Sequence, residues 1–303
     1  MAAPKWIDTH VHVSDKGKDG QKHERLIEHL MAVLDGDGAD LRLVVSPDAN
    51  WNRVVKEGPE GVGMAAEFIR SLSDGVPGRL YGSCLVNPHF LDASLAIMDR
   101  CFGEWGFVQL GEMLQYMMDY VMDCDSVEAL LRKSVEYGVP VEVHISTSNT
   151  KTHASSFGTE QLDDLLKAVD RVPDAKYILA HAVGGDKDDP PVVDEYIDMV
   201  EAKYRTWPDN FWVEIRDFNS PGLRSVLDRV PHTRLLAGTD WTNRVGPPFP
   251  PYGTLFSPGP VEANPFPPCV ASLIDLLRNA GATDETITAI GFGNAAELLR
   301  LAE

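Results

Sequence analysis

Apolar positions along the chain follow two rhythms. Short runs that are continuously apolar or strictly alternating have the pattern of half-buried or buried strands, and between them lie longer stretches with the three-to-four-residue spacing of amphipathic helices. Eight strand candidates emerge: WIDTHVHV ending near His12, LRLVVS at Ser46, LYGSCLV at Val86, FVQLGE at Glu112, VPVEVHI at His144, KYILAH at His181, FWVEIR at Arg216 and RLLAGTD at Asp240. Their ends lie about 33 residues apart on average, close to the roughly 31 per unit of a ~250-residue barrel. The pattern therefore predicts one α/β domain over residues 1–303, a single (β/α)8 TIM barrel.

Boundary signals fill the intervals with helices. Asp125 is placed to cap a helix that stops before Gly138, Thr159 to cap the next, and Ser220 followed by Pro221 reads as a cap with proline in the first turn. Between Asp240 and Cys269 the chain carries nine prolines and cannot be helical, so a long loop should follow strand eight and overhang the barrel mouth. Asn294 with Glu297 three residues on reads as the cap of a closing apolar helix, Ala295 to Leu301.

Charge narrows the function classes. The 303 residues include 27 basic and 46 acidic side chains, a net charge of −19, and carry no Lys/Arg stripe that would bind phosphates. Nucleic acid is thus not an expected partner. The acidic stretch from Asp186 to Glu201 reads as a solvated loop and helix face. Cys84, Cys101, Cys124 and Cys269 have neither zinc-knuckle nor disulfide-framework spacing, which suits a reducing cytoplasm. The first residues lack the charged-then-apolar pattern of a leader, and no apolar run has transmembrane length. The expectation is a soluble, unprocessed protein that meets no membrane and acts on a small molecule; a homo-oligomer is compatible with it.

The chemistry concentrates at the strand ends, where barrel enzymes keep their sites. His10 and His12 stand two apart on strand one, so both rings should face the barrel mouth. His144 ends strand five, His181 strand six, Asp240 strand eight and Glu112 strand four. Such a mixture of imidazole nitrogen and carboxylate oxygen suits zinc or a similar divalent cation. The other histidines, His23, His29, His89, His153 and His232, fall in helices or loops and read as structural.

Around these, Asp8 and Glu142 each lie two positions before a ligand histidine, where a carboxylate either accepts a ring N–H or is a buried core acid. Arg216 shares a strand face with Glu214 and either grips a substrate carboxylate or pairs with that glutamate. Trp241, Asn243 and Arg244 open the long loop and are candidate pocket walls; packing beneath the loop accounts for the tryptophan as well. The alternation Val108, Leu110, Glu112 suggests that all three side chains point inward on strand four.

Asp8-Thr9-His10-Val11-His12, His144 in Val-Glu-Val-His, His181 in Leu-Ala-His-Ala, Gly238-Thr239-Asp240-Trp241 and Gly293-Asn294-Ala295-Ala296 resemble the amidohydrolase superfamily. They are most similar to its amidohydrolase-2 branch, which includes aminocarboxymuconate semialdehyde decarboxylase, aromatic-acid decarboxylases and dicarboxylate lactonases. The resemblance runs from Trp6 to Leu301. It implies that His10, His12 and Asp240 bind metal, that His144 is commonly a ligand, and that His181 is a ligand or the catalytic histidine beside it. Leu110-Gly111-Glu112-Met113 departs from the branch and is more similar to metal-dependent deoxyribonuclease-type relatives, in which the glutamate bridges two metals. One or two Zn2+ per chain are expected, with Mn2+ or another divalent cation as the alternative. No lysine ends strand four to be carbamylated.

A bound cation that lowers the pKa of water toward 7 and polarises a carbonyl makes a hydrolase of an amide, ester or lactone the first expectation, with Asp240 and His181 as catalytic groups. Nonoxidative decarboxylation of a small aromatic or unsaturated acid is the alternative on the same residues. A metal-binding module without turnover is the third reading.

Overall fold

The computed structural model describes residues 3–16, 25–146, 157–184, 191–242 and 269–301. In chain order the elements are β1 (Lys5–Val13), α1 (Leu26–Gly36), β2 (Asp40–Pro47), α2 (Ala49–Glu57), α3 (Pro59–Gly75), β3 (Leu80–Cys84), α4 (Leu91–Gly103), β4 (Gln109–Met113), α5 (Gln115–Met118), α6 (Asp125–Tyr137) and β5 (Val141–His144). There follow α7 (Gly158–Arg171), β6 (Tyr177–Val183), α8 (Pro191–Tyr204), β7 (Phe211–Ile215), α9 (Leu223–Arg229), β8 (Leu235–Ala237), β9 (Trp241–Thr242), α10 (Val270–Asn279), α11 (Asp284–Thr288) and, after a π-helical turn at Ala289–Gly293, α12 (Asn294–Leu298).

All strand pairs are parallel, in the order β8-β7-β6-β5-β4-β3-β2-β1-β9. The pieces β8 and β9 are one eighth strand broken at Gly238-Thr239-Asp240: the first pairs with β7, the second with β1. This split strand closes the (β/α)8 barrel. Its exterior carries the main core: Val11, Val13, Leu43, Val45, Leu110, Tyr177 and Leu179 pack beneath Leu30, Val62, Ile69, Leu130 and Leu165 of the helices. A second cluster plugs the lower end of the interior: Ile7, Val44, Ile178, Trp212 and Leu236 sit on Phe292, Ala295 and Leu298 from the closing helical segment. Above this apolar floor the interior turns polar.

The strands are not regular, and the irregularities carry the site. Asp8 pairs with Leu43 but Val11 with Val45, so β1 holds one extra residue around Thr9-His10. Leu110 pairs with Val141 and Met113 with Val143, an extra residue at Gly111-Glu112. Leu179 pairs with Val213 and Val183 with Ile215, two extra residues around His181. A bulge shifts the period-two alternation and re-aims the side chains after it. Ahead of its bulge, Leu110 faces the helices, and Gln109, not Leu110, crosses the interior to donate Nε2–H to Thr9 O at 3.3 Å. Glu112 still points inward, because the extra residue reverses the phase.

Several predicted boundaries move. Gly138 ends α6 with φ 67°, as expected, but Cys124 is the N-cap and Asp125 pairs with Arg171. The next helix starts at Gly158, one residue before Thr159. Ser220 accepts from Gly222 N in a turn ahead of α9, which begins at Leu223. Asn294 is helical rather than a cap; its side chain donates to His232 O and Leu235 O at 2.7 and 2.8 Å and pins the start of β8.

Within α8, Asp194, Asp198 and Glu201 pair with Arg229, so part of the acidic face is an ion-pair patch. The residues at 186–190 and the proline-rich 243–268 lie outside the described residues. All four cysteines are free. Among the described residues no helix is long and apolar enough to cross a membrane.

Candidate metal centre

The polar upper interior brings together every strand-end residue singled out above except those of the loop after Asp240. His10 Nε2 lies 3.0 Å from His12 Nε2, and Glu112 Oε2 is 3.5 Å from the first and 3.1 Å from the second. Asp240 Oδ1 approaches them at 3.8 and 3.5 Å. On the other side, Glu112 Oε1 lies 2.7 Å from His144 Nδ1 and 3.0 Å from His181 Nε2. Three sets have ligand atoms within 4.8 Å of one another: His10 with His12 and Asp240, Glu112 with His144 and His181, and His10 with Glu142 and Glu214. Glu112 offers one oxygen to each side.

Backbone conformation aims these groups. His181 and Asp240 have φ of 40° and 52°, left-handed values that cost a side-chain-bearing residue energy and that concentrate at functional sites. Gly111, at φ 130°, sits so close to β5 that a Cβ would fall 2.5 Å from Glu142 O. The glycine of Leu-Gly-Glu is what lets the strand bulge and Glu112 turn inward.

The tautomers decide what the first set needs. His10 Nδ1 faces the Glu214 carboxylate at 2.9 Å, and His12 Nδ1 faces Pro47 O at 3.0 Å. Carboxylate and carbonyl oxygens only accept, so both Nδ1 atoms carry the proton and both Nε2 atoms present lone pairs. Two lone pairs 3.0 Å apart, beside a carboxylate oxygen, require a cation or an added proton between them. The donor set therefore fits a divalent metal. In the second set His144 Nδ1–H and His181 Nε2–H can each donate to Glu112, whereas His144 Nε2 and His181 Nδ1 are buried without a hydrogen-bond partner.

Charge balance agrees. Glu112, Glu142, Glu214 and Asp240 surround the imidazoles, and among the described residues Arg216 is the cation paired with this group, its Nε 3.1 Å from Asp240 Oδ2. Burial opposes charge on His10, but Glu142, Glu214 and Glu112 outweigh it and hold its pKa well above the usual imidazole value. Burial likewise opposes ionisation of Glu112, yet His10 and His144 keep it well below the usual carboxylate range. For Asp240 the Arg216 guanidinium overcomes burial and depresses the pKa. Burial drives Glu142 well above its ordinary value, so it stays protonated beside Glu214.

Asp8 is the buried, hydrogen-bonded acid of its two readings: its carboxylate accepts from the backbone N–H groups of His10 and Thr239. Three expectations need correction. Glu142 stands 3.3 Å from His10 Nδ1 rather than serving His144 on its own strand. Arg216 pairs with Asp240, not with Glu214. Trp241 is fully buried, pairs with Val11 and packs in the core outside the barrel, so it does not wall the pocket. Arg244 and Asn243 lie outside the described residues.

The reading from sequence missed Thr9, whose hydroxyl lies 2.8 Å from Glu214 Oε1, and Ser46, whose Oγ lies 2.9 Å from His12 Nδ1. It also missed Tyr116, whose ring lies 4.5 Å from that of His144. Its short helix is tied down by Gln115 to His144 O and by Lys56 to Met117 O. His89 bonds the carbonyls of Met118 and Asp119, and His232 that of Leu227, both structural as expected.

The amidohydrolase sequence model matches residues 7–301, nearly the whole of the chain. The chain belongs to the amidohydrolase family. No curated protein sequence matches it. Among solved structures, 2,6-dihydroxybenzoate decarboxylase from Rhizobium superposes with a TM-score of 0.65 at 16% identity, over 99% of each chain. The 5-carboxyvanillate decarboxylase from Novosphingobium aromaticivorans, complexed with manganese and 4-hydroxy-3-methoxy-5-nitrobenzoic acid, gives 0.66 at 15%, over 99% of this chain and 96% of that one. The 4-oxalomesaconate hydratase from Rhodopseudomonas palustris gives 0.63 at 15%, over 98% and 96%. At such identities the likeness is one of fold. Family and fold together make this amidohydrolase a metal-dependent enzyme, and divalent metal binding agrees with the manganese in that relative.

Proposed function

We propose that this amidohydrolase is a nonoxidative decarboxylase of a small aromatic or unsaturated carboxylic acid, dependent on a divalent cation held by His10, His12 and Asp240. This puts the former alternative ahead of hydrolysis. The observation that carries it is the pairing of Arg216 with Asp240, which sets a guanidinium beside the ligand group and suits a substrate that brings its own carboxylate. The names of the structural relatives, decarboxylases and a hydratase, support the same class.

When bound, the cation would draw electrons from a substrate oxygen next to the reacting carbon. Arg216 orients the substrate by gripping an anionic oxygen in place of Asp240 Oδ2. Asp240, released from that partner and partly exposed, gains proton affinity, takes up one proton from solvent and delivers it to the carbon. The carbon–carboxylate bond breaks, its electron pair takes that proton, and CO2 leaves. His181 holds its position through Glu112 and flanks the reacting carbon. Zinc is the first candidate metal, with manganese as the alternative, and the four free cysteines support a cytoplasmic setting.

Glu112 favours a second reading. A carboxylate with one oxygen toward each ligand set suits two cations and hydrolysis of an amide, ester or lactone. The test is metal analysis of the purified protein with product analysis on panels of hydroxylated aromatic acids, unsaturated diacids and lactones. CO2 release with about one metal per chain supports decarboxylation. Lactone opening without CO2, with about two metals and loss of one in Glu112→Gln, moves the function to hydrolysis.

A further inference from the structure

We propose that Glu214, a residue of β7, is the positioning residue that unites the first two ligand sets, that of His10, His12 and Asp240 and that of Glu112, His144 and His181. The inference rests on the metal reading above. Glu214 Oε2 is 2.9 Å from His10 Nδ1 and also accepts the backbone N–H of His181 at 3.3 Å. Its Oε1 faces the Thr9 hydroxyl at 2.8 Å, and that hydroxyl lies 3.0 Å from Ala237 O. One carboxylate thus gathers β1, β6, β7 and β8 just below the centre.

Each contact has a consequence for ligation. An acceptor at Nδ1 selects the Nδ1–H tautomer of His10 and turns the Nε2 lone pair toward His12 and Asp240. The N–H contact holds His181 at a bulge where the backbone is left-handed and not set by the ladder. Glu142, the other carboxyl near His10, stands farther off at 3.3 Å and makes no hydrogen bond to a side chain or backbone group of the first set. Space for Glu214 is provided for: a Cβ on Gly238 would lie 2.5 Å from its Cδ. That glycine heads the break in strand eight that presents Asp240.

The experiment compares the full-length wild type with Glu214→Gln and Glu214→Met, stripped and refilled with Co2+. Cobalt affinity is read by chelator competition, ligand geometry by the d–d absorption band, and fold by thermal unfolding of the stripped proteins. Glutamine keeps an oxygen for both N–H groups and loses the charge and the acceptor facing the Thr9 hydroxyl, which can turn to Ala237 O, so about 10-fold weaker binding is expected. Methionine keeps the volume and loses every acceptor, and about 100-fold weaker binding with a shifted band is expected.

Wild-type affinity and spectrum in either variant overturns the proposal, and the glutamine variant decides if the methionine variant does not fold. A wild type that takes up no cobalt overturns the metal reading and this inference together. Cobalt binding that responds to Glu214 without any CO2 release supports this inference and rejects only the proposed reaction.

Discussion

Asp8 fastens the bulge of β1 to the break in strand eight through Thr239. One oxygen accepts the N–H of His10 at 2.9 Å and of Thr239 at 3.1 Å, and the other accepts the Thr239 hydroxyl. The two distortions that aim His10 and Asp240 at one point are thereby held together by a single buried carboxylate. Asp8→Ala leaves three buried donors without this acceptor and should cost about 3 kcal/mol by denaturant unfolding, with metal uptake weakened in parallel. Asp8→Asn retains an acceptor for both N–H groups and should keep most of the stability. A loss below about 0.5 kcal/mol in the alanine variant would remove Asp8 from this role.

Arg216 and Asp240 should separate in their effects. Arg216→Met removes the guanidinium that grips substrate, so kcat/KM is expected to fall about 100-fold, chiefly through KM, with metal content unchanged; lysine should restore only part of it. Asp240→Ala should lose metal and activity together. Steady-state kinetics beside elemental analysis checks both, and metal loss in the arginine variant would make its role one of holding Asp240.

Gly111→Ala puts a Cβ 2.5 Å from Glu142 O at φ 130°. Stability should drop by more than about 2 kcal/mol, and the displaced Glu112 should change the metal count before the protein unfolds. Near-wild-type unfolding together with wild-type metal content would show that the bulge tolerates a side chain.

Removing the metal should make stability depend on pH in the alkaline direction. In the metal-free protein the neighbouring carboxyls raise the His10 pKa well above 6.5 against burial, and that of His12 is raised too. A raised folded-state pKa stabilises fully below the unfolded value of about 6.5 and loses that contribution as pH climbs through the folded value. Chelated protein should therefore lose melting temperature from about pH 6.5 upward, while metal-loaded protein, whose lone pairs are engaged by the cation, should not. Parallel pH profiles for both forms would contradict this.

Eight strands, their ends and the polar residue at each end could be read from the chain because burial imposes a two-residue period on strands and their flanking turns punctuate it. His10, His12, His144, His181, Glu112 and Asp240 were all legible in this way, and the family resemblance agreed with them. The pairings among the carboxylates were not. Period two holds only within a regular ladder, and the extra residues at Thr9-His10, at Gly111-Glu112 and around His181 shift it where the site is built. Strand alternation thus left Asp8 between the His10 ring and a buried core role and assigned Leu110 to the interior, whereas the folded barrel turns Asp8 toward Thr239 and sends Gln109 across the core.

Trp241 follows the same logic: strand eight resumes after its break and pairs with β1, which turns the ring outward into the core. What sequence determined by itself was which residue types stand at the mouth of the barrel. Which carboxylate meets which histidine was decided by closure of the barrel, because Glu214 and His10 lie 204 positions apart and only the curved sheet brings them to 2.9 Å.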